Sequence, residues 1–132
     1  MILFFDRNMG KSIPDALHLL DLPVKKHDEH FGPTTTDEEW LAKVGEEGWL
    51  AITRDERIRW NQSERRALAD HRVGCFVLVG AAKLPRWDSV RIIARNWDRI
   101  QELSTAEERP FLCELHLRRP PKRVDLAPRR GT

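Results

Sequence analysis

The sequence predicts an α/β domain built on a mainly parallel sheet, with helices on both faces. Three observations predict it. Short apolar runs alternate with stretches whose apolar residues recur every three to four positions. The runs at residues 2–5, 50–53 and 73–79 are continuous, as strands buried on both faces require. Each run is followed by a turn and then by helix-start residues, which is the order of a βαβ chain. A length of 132 residues suits one domain with one core.

The elements follow in order. Residues 2–5 form a first strand that ends at Asp6. Ser12 with Asp15 reads as a capping box and Pro14 suits a first helical turn, so a helix is expected over 13–20 with Ile13, Leu17 and Leu20 inward. Residues 22–27 are a short, weak second strand, and 32–36 a loop. Thr36 and Glu39 form a second capping box, which puts Asp37 in the first turn of a helix that buries Trp40, Leu41 and Val44 and ends at Gly48. Residues 50–53 are the third strand, followed by Asp55. Asn61, Gln62 and Ser63 cap a helix that runs from Glu64 to Asp70. Residues 73–79 are the clearest strand, and 85–103 the longest helical pattern, with Trp87, Val90, Ile93, Ala94 and Trp97 on one stripe. Residues 111–117 read as a fifth strand. The domain is therefore expected over 1–117, and 118–132 as a basic, proline-rich tail in which Arg118, Arg119, Lys122, Arg123, Arg129 and Arg130 outnumber Asp125.

Composition narrows the class. A hydrophobic fraction of 40% with 33% charged residues describes a soluble globular chain. A net charge of +2, from 23 basic against 21 acidic residues, does not by itself predict a polyanion partner. Cys75 and Cys113 lie in apolar runs with no CxxC spacing, so they are read as small buried hydrophobes rather than a disulfide or zinc site. No leader pattern and no apolar run near the roughly 20 residues of a membrane span is found, which makes the cytoplasm the expected location.

The chemistry lies in the acids. Asp6 and Asp55 sit just past strand ends and Asp37 at a helix start, so all three are expected at the C-terminal edge of the sheet, where open α/β sheets bind ligands. Carboxylates gathered there repel one another unless a cation is present, which points to a hard divalent metal such as Mg²⁺ or Mn²⁺. Each acid also has a bland reading: Asp37 as a cap, Asp6 and Asp55 as turn residues. Glu38 competes as a ligand, one step around the first helical turn. Asn8 and Thr53 are expected to orient the carboxylates. Arg7, Lys11, Arg54 and Arg57 stand close enough in sequence to bind a phosphate, or to pair with the acids in the absence of metal. Arg65 and Arg66 read as a solvated helix face. Trp60 can stack a base but is read first as packing under the loop, and His27 with His30 as a solvated turn.

Residues 5–8 (Phe-Asp-Arg-Asn), 37–42 (Asp-Glu-Glu-Trp-Leu-Ala) and 52–55 (Ile-Thr-Arg-Asp) resemble the three signatures of PIN-like domains, nearest to the toxins related to VapC. The resemblance implies a metal-dependent endoribonuclease that leaves a 5′-phosphate and a 3′-hydroxyl. It further implies an RNA substrate, a cognate antitoxin and a homodimer. Asp6, Asp37 and Asp55 match the family's acids. A fourth acid, common near the end of the fourth strand in PIN nucleases, is absent from Val79-Gly80-Ala81-Ala82. A catalytically silent scaffold that binds RNA or a protein is the alternative. A phosphoacceptor receiver fits less well, because no acidic pair follows the first strand and no Lys follows the fifth.

Overall fold

The structure, a computed structural model, describes residues 1–126. Strands β1 (Leu3–Phe5), β2 (Val24–Lys26), β3 (Leu50–Thr53), β4 (Gly74–Leu78) and β5 (Phe111–Leu115) run parallel, and β6 (Lys122–Val124) joins antiparallel to β5. The order across the sheet is β2-β1-β3-β4-β5-β6. Helices α1 (Ser12–Leu19), α2 (Asp37–Glu47), α3 (Gln62–Asp70), α4 (Arg86–Arg95) and α5 (Trp97–Ala106) cover it. The expected α/β class is the observed one.

The continuous apolar strands are explained by two cores, one on each face. Leu3, Phe5, Leu50, Ile52, Phe76 and Leu78 pack with Ile13 and Leu17 of α1, Ile92 and Ile93 of α4 and Ile100 of α5. Phe4, Ala51, Cys75 and Val77 point the other way, against Trp40, Leu41 and Val44 of α2 and Leu68 of α3. Successive strand side chains alternate faces, so β1, β4 and β3 as far as Ile52 carry no polar side chain. Phe4 stacks on both Trp40 and Trp49, with centroids 5.6 and 5.8 Å away. Cys75 and Cys113 are buried free thiols. Among the described residues, no helix is long and apolar enough to cross a membrane.

Two glycines set how α2 sits. Gly48 ends it in the left-handed conformation, φ 71°, that a side chain would strain. A Cβ on Gly45 would lie 2.1 Å from the carbonyl oxygen of His71, just past α3. Any side chain there would drive the two helices apart, and with them the first turns that carry Asp37 and Glu64.

Four expectations need correction. The 85–103 helix is two helices. Asn96 is buried between them, and its side-chain amide donates to the carbonyls of Ile92 (2.7 Å) and His116 (3.3 Å), a tertiary tie that fixes the break. The buried stripe is Ser89, Ile92, Ile93, Asn96 and Ile100, while Trp87 and Ala94 face solvent. Ser12 lies inside α1 rather than capping it, and its hydroxyl accepts from Arg86 of α4 at 3.1 Å; Leu20 is exposed. Finally, the chain after 117 is not all tail. Arg95 donates to the carbonyls of His116, Arg118 and Arg119, β6 pairs with β5, and Val124 and Leu126 pack on the core under α2 and α3. Pro128, Arg129 and Arg130 of the expected basic strip lie outside the described residues.

Candidate active site

Adjacent strands β1 and β3 pair Phe5 with Ile52, and the Asp6 N–H donates to the Ile52 carbonyl at 2.9 Å. Asp6 and Thr53 therefore leave the sheet side by side. The buried Thr53 hydroxyl donates to Asp6 Oδ2 (2.9 Å) and accepts from Asn8 Nδ2 (2.9 Å) and the Asp55 N–H (3.0 Å). Its one proton and two lone pairs are all used. Asn8 Oδ1 in turn accepts from the Arg54 N–H at 3.2 Å. One hydroxyl thus ties the turn after β1 to the turn after β3.

Thr36 caps α2 by accepting from the Glu39 N–H at 3.2 Å, which holds Asp37 in the first turn, and Trp40 Nε1 donates to Asp37 Oδ1 at 3.0 Å. Asn61 caps α3 in the same manner, accepting from the Glu64 N–H at 3.0 Å. Glu64 is the residue the sequence reading missed. Its carboxyl lies beside that of Asp37, and its Oε2 is buried with no hydrogen-bond partner. Glu64, in the first turn of α3, thus brings a further carboxyl beside Asp37, whereas the end of β4 brings none. The available signal was a Glu three residues after Asn61, read only as the start of the helix.

The electrostatics follow from this crowding. Burial pushes Asp6 up to about 6, with the Asp37 and Asp55 charges adding and the Thr53 hydroxyl opposing. Burial, then Asp37, pushes Glu64 up to about 7. Asp55 moves the other way, held below the usual carboxylate range by Arg57. The Arg57 guanidinium bonds Asp55 through Nε (2.9 Å) and a terminal nitrogen (2.8 Å), and its N–H also donates to Oδ1 (3.1 Å).

Among the described residues, no three His, Cys, Asp or Glu side chains converge as a ready-made metal-ligand set. On this edge Asp6 is bonded to Thr53, Asp37 to Trp40 and Asp55 to Arg57. The donor chemistry nevertheless fits a hard divalent cation. Every donor is a carboxylate oxygen, two of the acids are held short of ionisation, and Glu64 Oε2 is an orphaned buried acceptor. A cation would relieve all three conditions.

The remaining sequence candidates separate. Glu38 faces His71 (3.8 Å) and lines a cavity of about 470 Å³ with Gln62, Ser63, Arg66 and Asp70 instead of turning to the acids. Arg7 donates to the Pro33 carbonyl at 2.7 Å and so ties down the loop before α2, while Lys11 pairs with Asp28 at 3.2 Å. Arg57 and the backbone of Arg54 belong to the site. His27 is buried in the aromatic cluster around Phe4, not in a solvated turn, and burial lowers its pKa. Trp60 is 58% exposed, with the Arg59 guanidinium stacked 5.0 Å from its ring, and does not pack under the loop.

A mainly parallel sheet with Asp6, Asp37, Asp55 and Glu64 near its C-terminal edge defines a class of domain, and comparison agrees. The model of the family described as PIN like domain matches residues 1–80, and the chain belongs to that family. It is also similar to a Mycobacterium tuberculosis (strain ATCC 25618 / H37Rv) protein named "Putative ribonuclease VapC45". The two are 31% identical over 97 residues, covering 70% of each chain. No solved structure matches.

Proposed function

We propose that this protein is a Mg²⁺- or Mn²⁺-dependent endoribonuclease, and that it serves as the toxin of a cytoplasmic toxin–antitoxin pair. The observation that carries the activity is the gathering of Asp6, Asp37 and Glu64 at this edge, where burial and neighbouring carboxylates raise Asp6 and Glu64. Structural acids are normally paired with cations or left in water, so such a cluster points to a ligand that charges it. The relative named as a ribonuclease supports the substrate class.

Asp6, Asp37 and Glu64 would hold the cation, joined by Asp55 once it leaves Arg57. A divalent cation there supplies positive charge against the scissile phosphate and acidifies a water. Thr53 and Asn8 keep Asp6 aimed at the edge. Arg57, released from Asp55, presents a bidentate fork to a phosphate, and Arg54 stands beside it. The silent-scaffold reading draws on one observation, the Arg57 clamp on Asp55. An antitoxin and a homodimer belong to the proposal through the resemblance to VapC-related toxins.

An RNA cleavage assay in Mn²⁺ and in EDTA, with wild type and Asp55→Asn, decides. The expected result is cleavage only by wild type with Mn²⁺, leaving 5′-phosphate ends. A folded wild type that leaves RNA intact in millimolar Mn²⁺ overturns the nuclease reading in favour of the scaffold.

A further inference from the structure

We infer that Trp60 is a stacking platform for an unpaired RNA base, a binding subsite at the margin of the acidic edge; the inference rests on the nuclease reading for its setting. Trp60 closes the 3-10 turn Glu56–Arg59 that begins at Asp55, and α3, which carries Glu64, starts just after it. The indole therefore lies at the corner between two segments that supply site acids. At 58% exposure it leaves a large aromatic surface in water, which the fold does not need for packing.

The backbone of Trp60 and the guanidinium against its ring are both tied down. The Trp60 backbone N–H donates to the Arg57 carbonyl at 3.0 Å. The guanidinium stacked on the ring belongs to Arg59, and Arg59 is locked by Glu56 (2.7 Å) and Glu114 (2.9 Å). Glu56 is itself fixed by the Gly80 N–H at 3.0 Å, and Glu114 by His116 at 3.1 Å. A ring that rests on a fixed guanidinium has less side-chain freedom to lose on binding than one with no neighbour.

The occupant follows from charge. Along residues 54–66, Arg54, Arg57, Arg59, Arg65 and Arg66 outnumber Asp55, Glu56 and Glu64, and cations interleaved with an exposed aromatic suit a phosphate backbone with splayed bases. Base stacking uses the π-face alone, so the platform takes single strands and ignores paired bases, whose faces are covered.

The test is RNA binding in EDTA, where no cleavage is needed. Anisotropy is measured on a 12-nucleotide oligo-U and on a fully paired RNA hairpin, with folding of each variant checked by circular dichroism. Trp60→Ala and Trp60→Leu are expected to weaken oligo-U binding about tenfold. Trp60→Phe should stay near wild type, and hairpin binding and the salt slope should not change, because no charge is removed. Wild-type affinity in Trp60→Ala overturns the inference and assigns the indole to a protein contact. Rescue by Leu, an equal loss on the hairpin, an equal loss in Trp87→Ala, or no oligo-U binding by wild type overturns it as well. Trp60-dependent binding without Mn²⁺-dependent cleavage would sink the nuclease reading alone. Cleavage with Trp60-independent binding would sink the platform alone.

Discussion

The acid cluster should make the metal-free protein less stable than its fold allows, and Asp6→Asn should show by how much. Asp6 holds its proton up to about pH 6 in the folded chain, against 3.8 for the ordinary group. The native state therefore binds that proton more tightly than the unfolded state does. Its contribution favours folding fully below pH 3.8 and is lost as pH rises through about 6. At about 1.4 kcal/mol per pKa unit, the loss approaches 3 kcal/mol above pH 7, an upper figure because the site relaxes. Asn keeps the shape and still accepts from the Thr53 hydroxyl, but never ionises. Asp6→Asn should therefore stabilise the protein by up to about 3 kcal/mol at pH 8 and by almost nothing at pH 4. Urea denaturation in EDTA across that range reads the difference directly. Parallel pH profiles for wild type and variant would refute the reasoning, because they would mean that burial at this edge does not raise Asp6.

Other expectations follow from the same geometry. Asp55→Asn should cost under about 1 kcal/mol, since its partner Arg57 is 73% exposed, yet it should abolish Mn²⁺-dependent cleavage. Arg57→Met removes the competitor for Asp55, so Mn²⁺ should bind several-fold more tightly by titration while RNA binds less well. Thr53→Val leaves the Asp55 N–H and Asn8 Nδ2 without their acceptor. It should lower stability by about 1–3 kcal/mol and raise the pH needed for metal binding, because the hydroxyl favours ionised Asp6. Removing everything after Leu117 should lower the melting temperature through loss of β6.

Much of this was legible in the chain. Continuous apolar runs gave the parallel sheet, and the caps at Thr36 and Asn61 gave two helix starts because capping is local chemistry. Asp6 and Thr53 could be placed side by side once two buried strands ended there. What escaped depends on distant partners. The break at Asn96 is made by the His116 carbonyl, 20 residues away. Strand β6 is charged and short, and it forms only because β5 offers an edge. Glu64 looked like one more helix-start acid, and only the approach of α2 to α3, which Gly45 permits, turns it toward Asp37. The bidentate Arg57 clamp is a rotamer choice that no spacing reveals.

The most direct test of the central claim is Mn²⁺ binding itself, followed by loss of the free-ion EPR signal on titrating protein into Mn²⁺ at pH 8 and pH 5. Wild type should bind saturably at pH 8 and far more weakly at pH 5, where Asp6 and Glu64 carry protons. Asp6→Asn and Glu64→Gln should each lose most of that binding while remaining folded. Binding that is absent at millimolar Mn²⁺, or unchanged in both variants, would contradict a divalent-cation site at this edge.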